Sequence, residues 1–197
     1  MLNNLCDYFR VTYLCDPSIA ALEHCAAKVH GGRPRTTTDP ESLITSAEVD
    51  VIVLCNATCF HASHAILALD NHKYVLVEKP LALNVRDLDA IVDAEKTSQG
   101  KVFVAYQRRY AEAFLDAVKE VGGMGKIQYA RVRDIIGPNS TFVGQSGTFP
   151  RKFTDFKEED SKEMGSRDYE MLKEALETDY CVEVTREALG MASLLGR

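Results

Sequence analysis

The chain has 197 residues, of which 46% are apolar and 26% charged, and its net charge is −6. That balance excludes a mostly disordered or collagen-like chain. The net acidity argues against a broad nucleic-acid surface, and no apolar run reaches the roughly 18 residues of a membrane span.

The acidity is uneven. Lys157 to Asp179 holds four Lys/Arg against nine Asp/Glu, which reads as a solvated helical face. The first ten residues, MLNNLCDYFR, carry Asp7 and no long apolar core, so no signal peptide is expected. The six cysteines are scattered, as buried thiols are in a cytosolic protein, and the expected location is the cytosol.

The first 107 residues alternate between strand and helix periods. Leu2, Leu5 and Phe9 share one helical face, and Arg10 to Cys15 reads as a strand. Asp16-Pro17 then looks like a helix cap followed by a first helical residue, with an apolar stripe from Ile19 to Val29 and a stop at Gly31-Gly32. A short strand is expected at Pro34 to Thr38 and a short helix at Pro40 to Ser46. Val51 to Cys55 is a continuous apolar run, the pattern of a strand covered on both faces.

A helix from about Phe60 to Leu69 follows, then a strand at Tyr74 to Val77. Asn84 caps the next helix with Asp87 three residues on, and Val85, Leu88, Ile91 and Val92 form its stripe. Lys101 to Ala105 closes the series. This alternation predicts a doubly wound parallel α/β domain over residues 1–107, with the turns after the strands along one edge. Those turns carry Asp16, Asn56, Glu78-Lys79 and Tyr106-Gln107-Arg108.

From residue 108 to 197 the pattern changes to a partial α+β second domain. Ala111 to Val121 reads as a helix and Lys126 to Ile136 as a strand. A loop is expected over Gly137 to Pro150, then a charged helix from Phe153 to Tyr180 broken at Gly165-Ser166, then a last helix at Val182 to Leu195. Cys55, Cys59, His61 and His64 spell C-x3-C-x-H-x2-H, but the histidines are too closely spaced for a zinc site and no metal is expected.

The stretch VIVLCNATCFHASHAILALDNHKYVLVEKPLALN resembles the second half of the nucleotide-binding domain of the Gfo/Idh/MocA oxidoreductases. The resemblance rests on a histidine-led helix before a strand ending in Glu78-Lys79-Pro80. Tyr106-Gln107-Arg108-Arg109-Tyr110 resembles the family's Y-N-R-R-F segment, and Gly125-Lys126-Ile127 its G-x-I step into a second domain. The similarity extends from about Phe9 to Arg133.

The resemblance implies hydride transfer between a nicotinamide cofactor and a carbohydrate-like or polyol substrate. It implies that Asp16 accepts hydrogen bonds from the adenosine ribose, which suits NAD better than NADP. Asn56, His61, Glu78 and Gln107 would lie near the cofactor. Lys79 would reach between nicotinamide and substrate and relay a proton. Arg108 and Tyr110 would face the substrate, and a sheet in the second domain would serve a homo-oligomer.

Two departures qualify that reading. The sequence contains no G-x-G-x-x-G, so the turn that lets a pyrophosphate approach backbone amides is not found, nor is the strand before it. Without that strand the segments at Val11 and Val51 must pair directly, recruit another segment or leave their edges open. The last histidine is His72, so the family's acid/base histidine in the second domain has no counterpart. Impaired turnover is the expectation, and the alternative is a non-catalytic dehydrogenase fragment or binding module with weak or no NAD affinity.

Overall fold

The computed structural model describes residues 2–131, 139–146 and 151–176. Its strands are β1 (Tyr13–Cys15), β2 (Arg35–Thr37), β3 (Val51–Leu54), β4 (Tyr74–Val77) and β5 (Val102–Val104). The helices are α1 (Ile19–Ala26), α2 (Pro40–Ile44), α3 (His61–Asp70), α4 (Val85–Thr97), α5 (Glu112–Gly122), α6 (Asn139–Ser146) and α7 (Glu158–Leu176). Every strand pair is parallel, as the strand–helix alternation predicts. The fold is α/β of the Rossmann type.

The strands form two sheets, β1-β2 and β3-β4-β5. This is the doubly wound order without its central strand, and among the described residues no strand pairs with the free edges of β1 and β3. The Thr12 hydroxyl donates to the Glu48 carbonyl at 3.5 Å, so the two sheets meet near their N-terminal ends without forming a ladder. Of the three outcomes open to these strands, direct pairing does not occur, and no other described segment is recruited to their edges.

The core lies on one face of β3-β4-β5. Ile52, Leu54, Val75 and Val77 point into it and meet Ala65, Ala68 and Leu69 of α3 and Ile91 of α4. Each fully buried aliphatic side chain contributes roughly 1.5–3 kcal/mol. Gly100 admits β5 to this packing, because a Cβ there would lie 1.9 Å from the Lys73 carbonyl oxygen.

Several expectations are corrected. β3 is covered on one face only, since Val51 and Val53 are exposed. Apolar runs in a strand do not reveal whether a second layer exists. The stripe on α4 reduces to Ile91, with Val85, Leu88 and Val92 exposed for the same reason. The cap of α1 is Ser18 rather than Asp16, and α1 ends at Ala26, short of Val29. Asp16 accepts instead from the Ser18 amide at 2.8 Å, one step before the helix. The residues around Leu2 and Leu5 form a single 3-10 turn, and the first strand begins at Tyr13 rather than Arg10.

Past residue 107 the differences are larger. Residues 126–131 are not a strand, and the remainder of that predicted strand lies outside the described residues. Residues 139–146, expected as loop, are α6. α7 begins at Glu158 and runs unbroken through Gly165-Ser166, where two i,i+4 ion pairs, Glu158–Lys162 and Glu163–Arg167, offset the cost of one glycine. No strand occurs among the described residues after β5, so the sheet expected to carry oligomerisation is not found there. The predicted helix at Val182 to Leu195 and the sixth cysteine, Cys181, lie outside the described residues. No helix among the described residues is long and apolar enough to cross a membrane.

Candidate functional site at the strand ends

Because β3, β4 and β5 run parallel, the turns after them share one edge. Asn56 follows β3, Glu78-Lys79 follows β4, and Gln107-Arg108 follows β5 in a 3-10 turn from Gln107 to Tyr110. The ladder carries past the strands themselves, through Glu78 N–H to Leu54 O and Ala105 N–H to Val77 O, at 2.9 and 2.8 Å.

His61 joins the first two turns. Its ring is 1% exposed. Nδ1 lies 2.8 Å from the Pro80 carbonyl oxygen and Nε2 lies 3.1 Å from that of Asn56. A carbonyl only accepts, so both ring nitrogens face the backbone of the turns. Sequence reasoning placed His61 near the cofactor; in the structure it ties the Asn56 turn to the Lys79-Pro80 turn from behind.

Asn56 is held a second time. Its side-chain amide donates to His64 Nδ1 at 3.0 Å. The amide has only donors on that nitrogen, so this His64 nitrogen is the unprotonated one. Burial is the main force holding the His64 pKa below its ordinary value, with the Arg167 guanidinium and His61 adding to it. His64 stacks on Phe60, and Arg167 lies 4.9 Å over the other ring partner's centroid, that of Phe60.

Glu78 is exposed and Lys79 half-buried. The Lys79 amide donates to the Glu78 carboxylate at 3.2 Å, which tightens the turn. Tyr110 rests on Phe103 with ring centroids 5.9 Å apart, and Gln107 and Arg108 are exposed. The thiols nearby are disfavoured as thiolates. Burial, reinforced by Asp168, pushes Cys59 up to about 12, and burial followed by Asp16 and Asp39 pushes Cys15 to about 11. No group of three or more His, Cys, Asp or Glu among the described residues converges to hold a metal.

The β1 end has a feature the sequence did not announce. The Asp155 carboxylate accepts from the Ser18 hydroxyl and, at 2.9 Å, from the Ala20 amide. These hydrogen bonds hold Asp155 below the ordinary carboxylate range. Phe153 packs against His24 at 5.5 Å. The same segment runs into α7, whose Met164 carbonyl meets the Cys59 thiol, so one stretch of chain contacts the residues after β1 and those after β3. Nothing in the sequence marks Asp155 as a partner of Ser18, 137 positions away.

Parallel strands, helices between them and polar turns gathered at the strand ends define a dinucleotide-binding type of domain. Residues 1–106 match the sequence profile of the Gfo/Idh/MocA group, described as an oxidoreductase family with an NAD-binding Rossmann fold. The chain belongs to that family.

The chain is 32% identical over 113 residues to the myo-inositol 2-dehydrogenase of Thermotoga maritima, covering 55% of this chain and 34% of that protein. It is 28% identical over 136 residues to the scyllo-inositol 2-dehydrogenase (NAD(+)) of Bacillus subtilis, covering 67% and 39%. Among solved structures, a probable dehydrogenase from Thermotoga maritima superposes with a TM-score of 0.55 at 28% identity, over 62% of this chain and 37% of that one. A levoglucosan dehydrogenase in complex with NADH and levoglucosan gives 0.52 at 25% identity, over 60% and 32%. The chain therefore spans between 32 and 39% of the length of these relatives.

Proposed function

We propose that this chain carries the two nucleoside ends of the NAD site of a polyol dehydrogenase, with a carbohydrate-like or inositol-type substrate, and that turnover in the chain as given is impaired. The observation that carries the reading is the His61 clamp, which fixes the Asn56 and Lys79-Pro80 turns side by side at the strand ends. The names of the inositol dehydrogenase relatives support the substrate class.

The fit to the cofactor is partial. Asp16 stands just after β1 with one carboxylate oxygen engaged by Ser18, leaving the other for a ribose hydroxyl. That acid suits NAD over NADP. Glu78, Asn56 and Gln107 border the nicotinamide end, and His61 supports them from behind. The chain's own residues supply no glycine-rich cradle for the pyrophosphate. When bound, NAD accepts a hydride from a carbinol carbon.

As a neutral amine, the Lys79 side chain would accept a hydrogen bond from the reacting hydroxyl and take its proton, becoming the ammonium as the hydride leaves. Arg108 and Tyr110 are assigned to the substrate side, with Tyr110 positioned by its stack on Phe103. No histidine follows His72, so the proton leaving Lys79 has no second acceptor of that kind in this chain. That deficit and the absent cradle give substance to a second reading, a non-catalytic fragment or binding module.

Titration of the purified chain with NADH, followed by nicotinamide fluorescence, tests both. Saturable binding with a Kd of roughly 1 mM is expected, with Lys79→Met changing it less than about twofold while removing any turnover of myo-inositol. No saturation at all would leave only the binding-module reading. Micromolar affinity would refute the incomplete cradle, and turnover by Lys79→Met would refute the role of Lys79.

A further inference from the structure

The start of α1 is already occupied by a charge from elsewhere in the chain. Ser18 is 2% exposed, and its hydroxyl oxygen accepts from the Ala21 amide at 2.9 Å. A hydroxyl has one hydrogen to give. That hydrogen goes to the Asp155 carboxylate, whose second oxygen accepts from the Ala20 amide at 2.9 Å. Asp155 therefore sits on the donors that the first turn of a helix offers to an anion. The Ser18 hydroxyl and then the Ala20 amide keep Asp155 below the ordinary carboxylate range, so it is charged at neutral pH.

The neighbours of this contact give it a meaning. Asp16 accepts from the Ser18 amide at 2.8 Å, so two carboxylates meet the same residue. In a dinucleotide fold an acid in the position of Asp16 takes the adenosine ribose, and a cation nearby accommodates a 2′-phosphate where there is one. Beside Asp155 opens a recess of about 450 Å³, lined in part by Glu23, His24, Arg151 and Lys152. The Arg151 guanidinium lies 5.5 Å over the Phe153 ring, which in turn packs against His24. A hydroxyl, a helix-start amide and two basic side chains are the parts that hold a ribose phosphate. Here the hydroxyl and the amide are spent on the chain's own carboxylate.

We infer that Asp155 is a specificity-determining residue of the dinucleotide site, which takes the place of a 2′-phosphate on Ser18 and Ala20 and so excludes NADP. The inference rests on the NAD reading, through Asp16. Asp16 acts against a phosphate by charge alone. Asp155 adds a second like charge and also withholds the donors, so a 2′-phosphate would have to displace it. An unphosphorylated ribose uses Asp16 and needs neither donor. Asp155 lies 137 positions from Ser18, so the choice of cofactor is tied to a segment well outside the first 107 residues.

Amide chemical-shift titration of the isotope-labelled full chain with NAD+ and with NADP+, each to about 20 mM, tests it. The wild-type chain should bind NAD+ and show no saturation with NADP+. In Asp155→Ala, affinity for NADP+ relative to NAD+ should rise by about tenfold or more, with shifts at Ser18 and Ala20. Asp155→Asn keeps the shape and one acceptor oxygen without the charge and should rise less. It carries the test should the alanine variant fail to fold. Arg151→Gln placed in the Asp155→Ala chain should take back part of the gain.

An unchanged preference in Asp155→Ala, with NAD+ still bound, overturns the inference and leaves the NAD reading intact. Equal tightening of both nucleotides would make Asp155 a general obstruction and overturns it too. If neither nucleotide shifts any amide in either chain, the NAD reading falls and the inference falls with it.

Discussion

The two ends of the strand-edge site are built differently. At the β3–β4 end the parts come from one continuous stretch: Asn56, His61 and Pro80 lie within 25 positions of each other, and the His61 that joins them is buried. At the β1 end, Asp16 accepts from Ser18, and Ser18 in turn meets Asp155, which arrives from 137 positions away and is exposed. The first end is fixed by local packing against α3. The second depends on a distant segment reaching α1. The contrast teaches that the Lys79 turn can keep its shape under changes that loosen the Asp16 turn.

The largest test of that contrast is His61→Ala. It removes the one N–H that a neutral imidazole can donate to the Pro80 or the Asn56 carbonyl oxygen and opens a cavity where a fully buried side chain stood. Unmet buried hydrogen-bonding groups cost about 1–3 kcal/mol each and the cavity adds to them, so a loss of about 3 kcal/mol in chemical denaturation is expected. His61→Gln, which keeps one donor, should lose less. A change under about 1 kcal/mol for His61→Ala would show that the turns are held by other contacts.

The β3–β4 end was legible in the sequence, and the β1 end only in part. His61, Glu78 and Lys79 stand in a spacing that identifies the strand–helix–strand unit, and Asn84 announces its cap: its carboxamide accepts from the Asp87 amide at 2.8 Å, as the sequence suggests. What the sequence could not convey is which face of each strand finds a partner. Val51 and Val53 have the composition of buried residues and are exposed, because burial depends on a second layer and not on the strand's own pattern. Nor can local reading find Asp155, whose partners depend on the path of the chain. Gly165-Ser166 misled in the opposite sense, since propensity at two positions yields to the ion pairs along α7, such as Arg167 with Glu163 at 2.9 Å.

The β1 end yields a smaller effect, visible through pH. Asp155 is held below its ordinary value by the Ser18 hydroxyl and then the Ala20 amide. A carboxylate with a lowered folded pKa stabilises the fold fully above its unfolded value, near 3.8, and loses that contribution as pH falls through the folded value. The wild-type chain should therefore lose stability on acidification below about pH 4 more steeply than Asp155→Asn. Asp155→Ala at neutral pH should also free α1 without loosening the Lys79 turn, read as faster hydrogen exchange at Ala20 and Ala21 and unchanged exchange at Glu78. Equal loosening at both ends would erase the distinction between them.

The smallest effect concerns His64, which touches only one group of the site. Burial, with Arg167 and His61, lowers its pKa, and its unprotonated Nδ1 accepts the Asn56 amide. Protonation would put a donor against a donor. Because the folded pKa lies below the unfolded one, the unfolded chain binds the proton first as pH drops below about 6.5. The fold thus loses stability from that point down to the folded pKa of His64. His64→Gln can turn its amide oxygen toward Asn56 and does not titrate, so it should flatten this limb while leaving stability at pH 8 nearly unchanged. Arg167→Gln should flatten it in part, since burial is the larger cause and remains. If Arg167→Gln removed the whole limb, the positive charge over Phe60, rather than the enclosure of the ring, would be what keeps Asn56 in place.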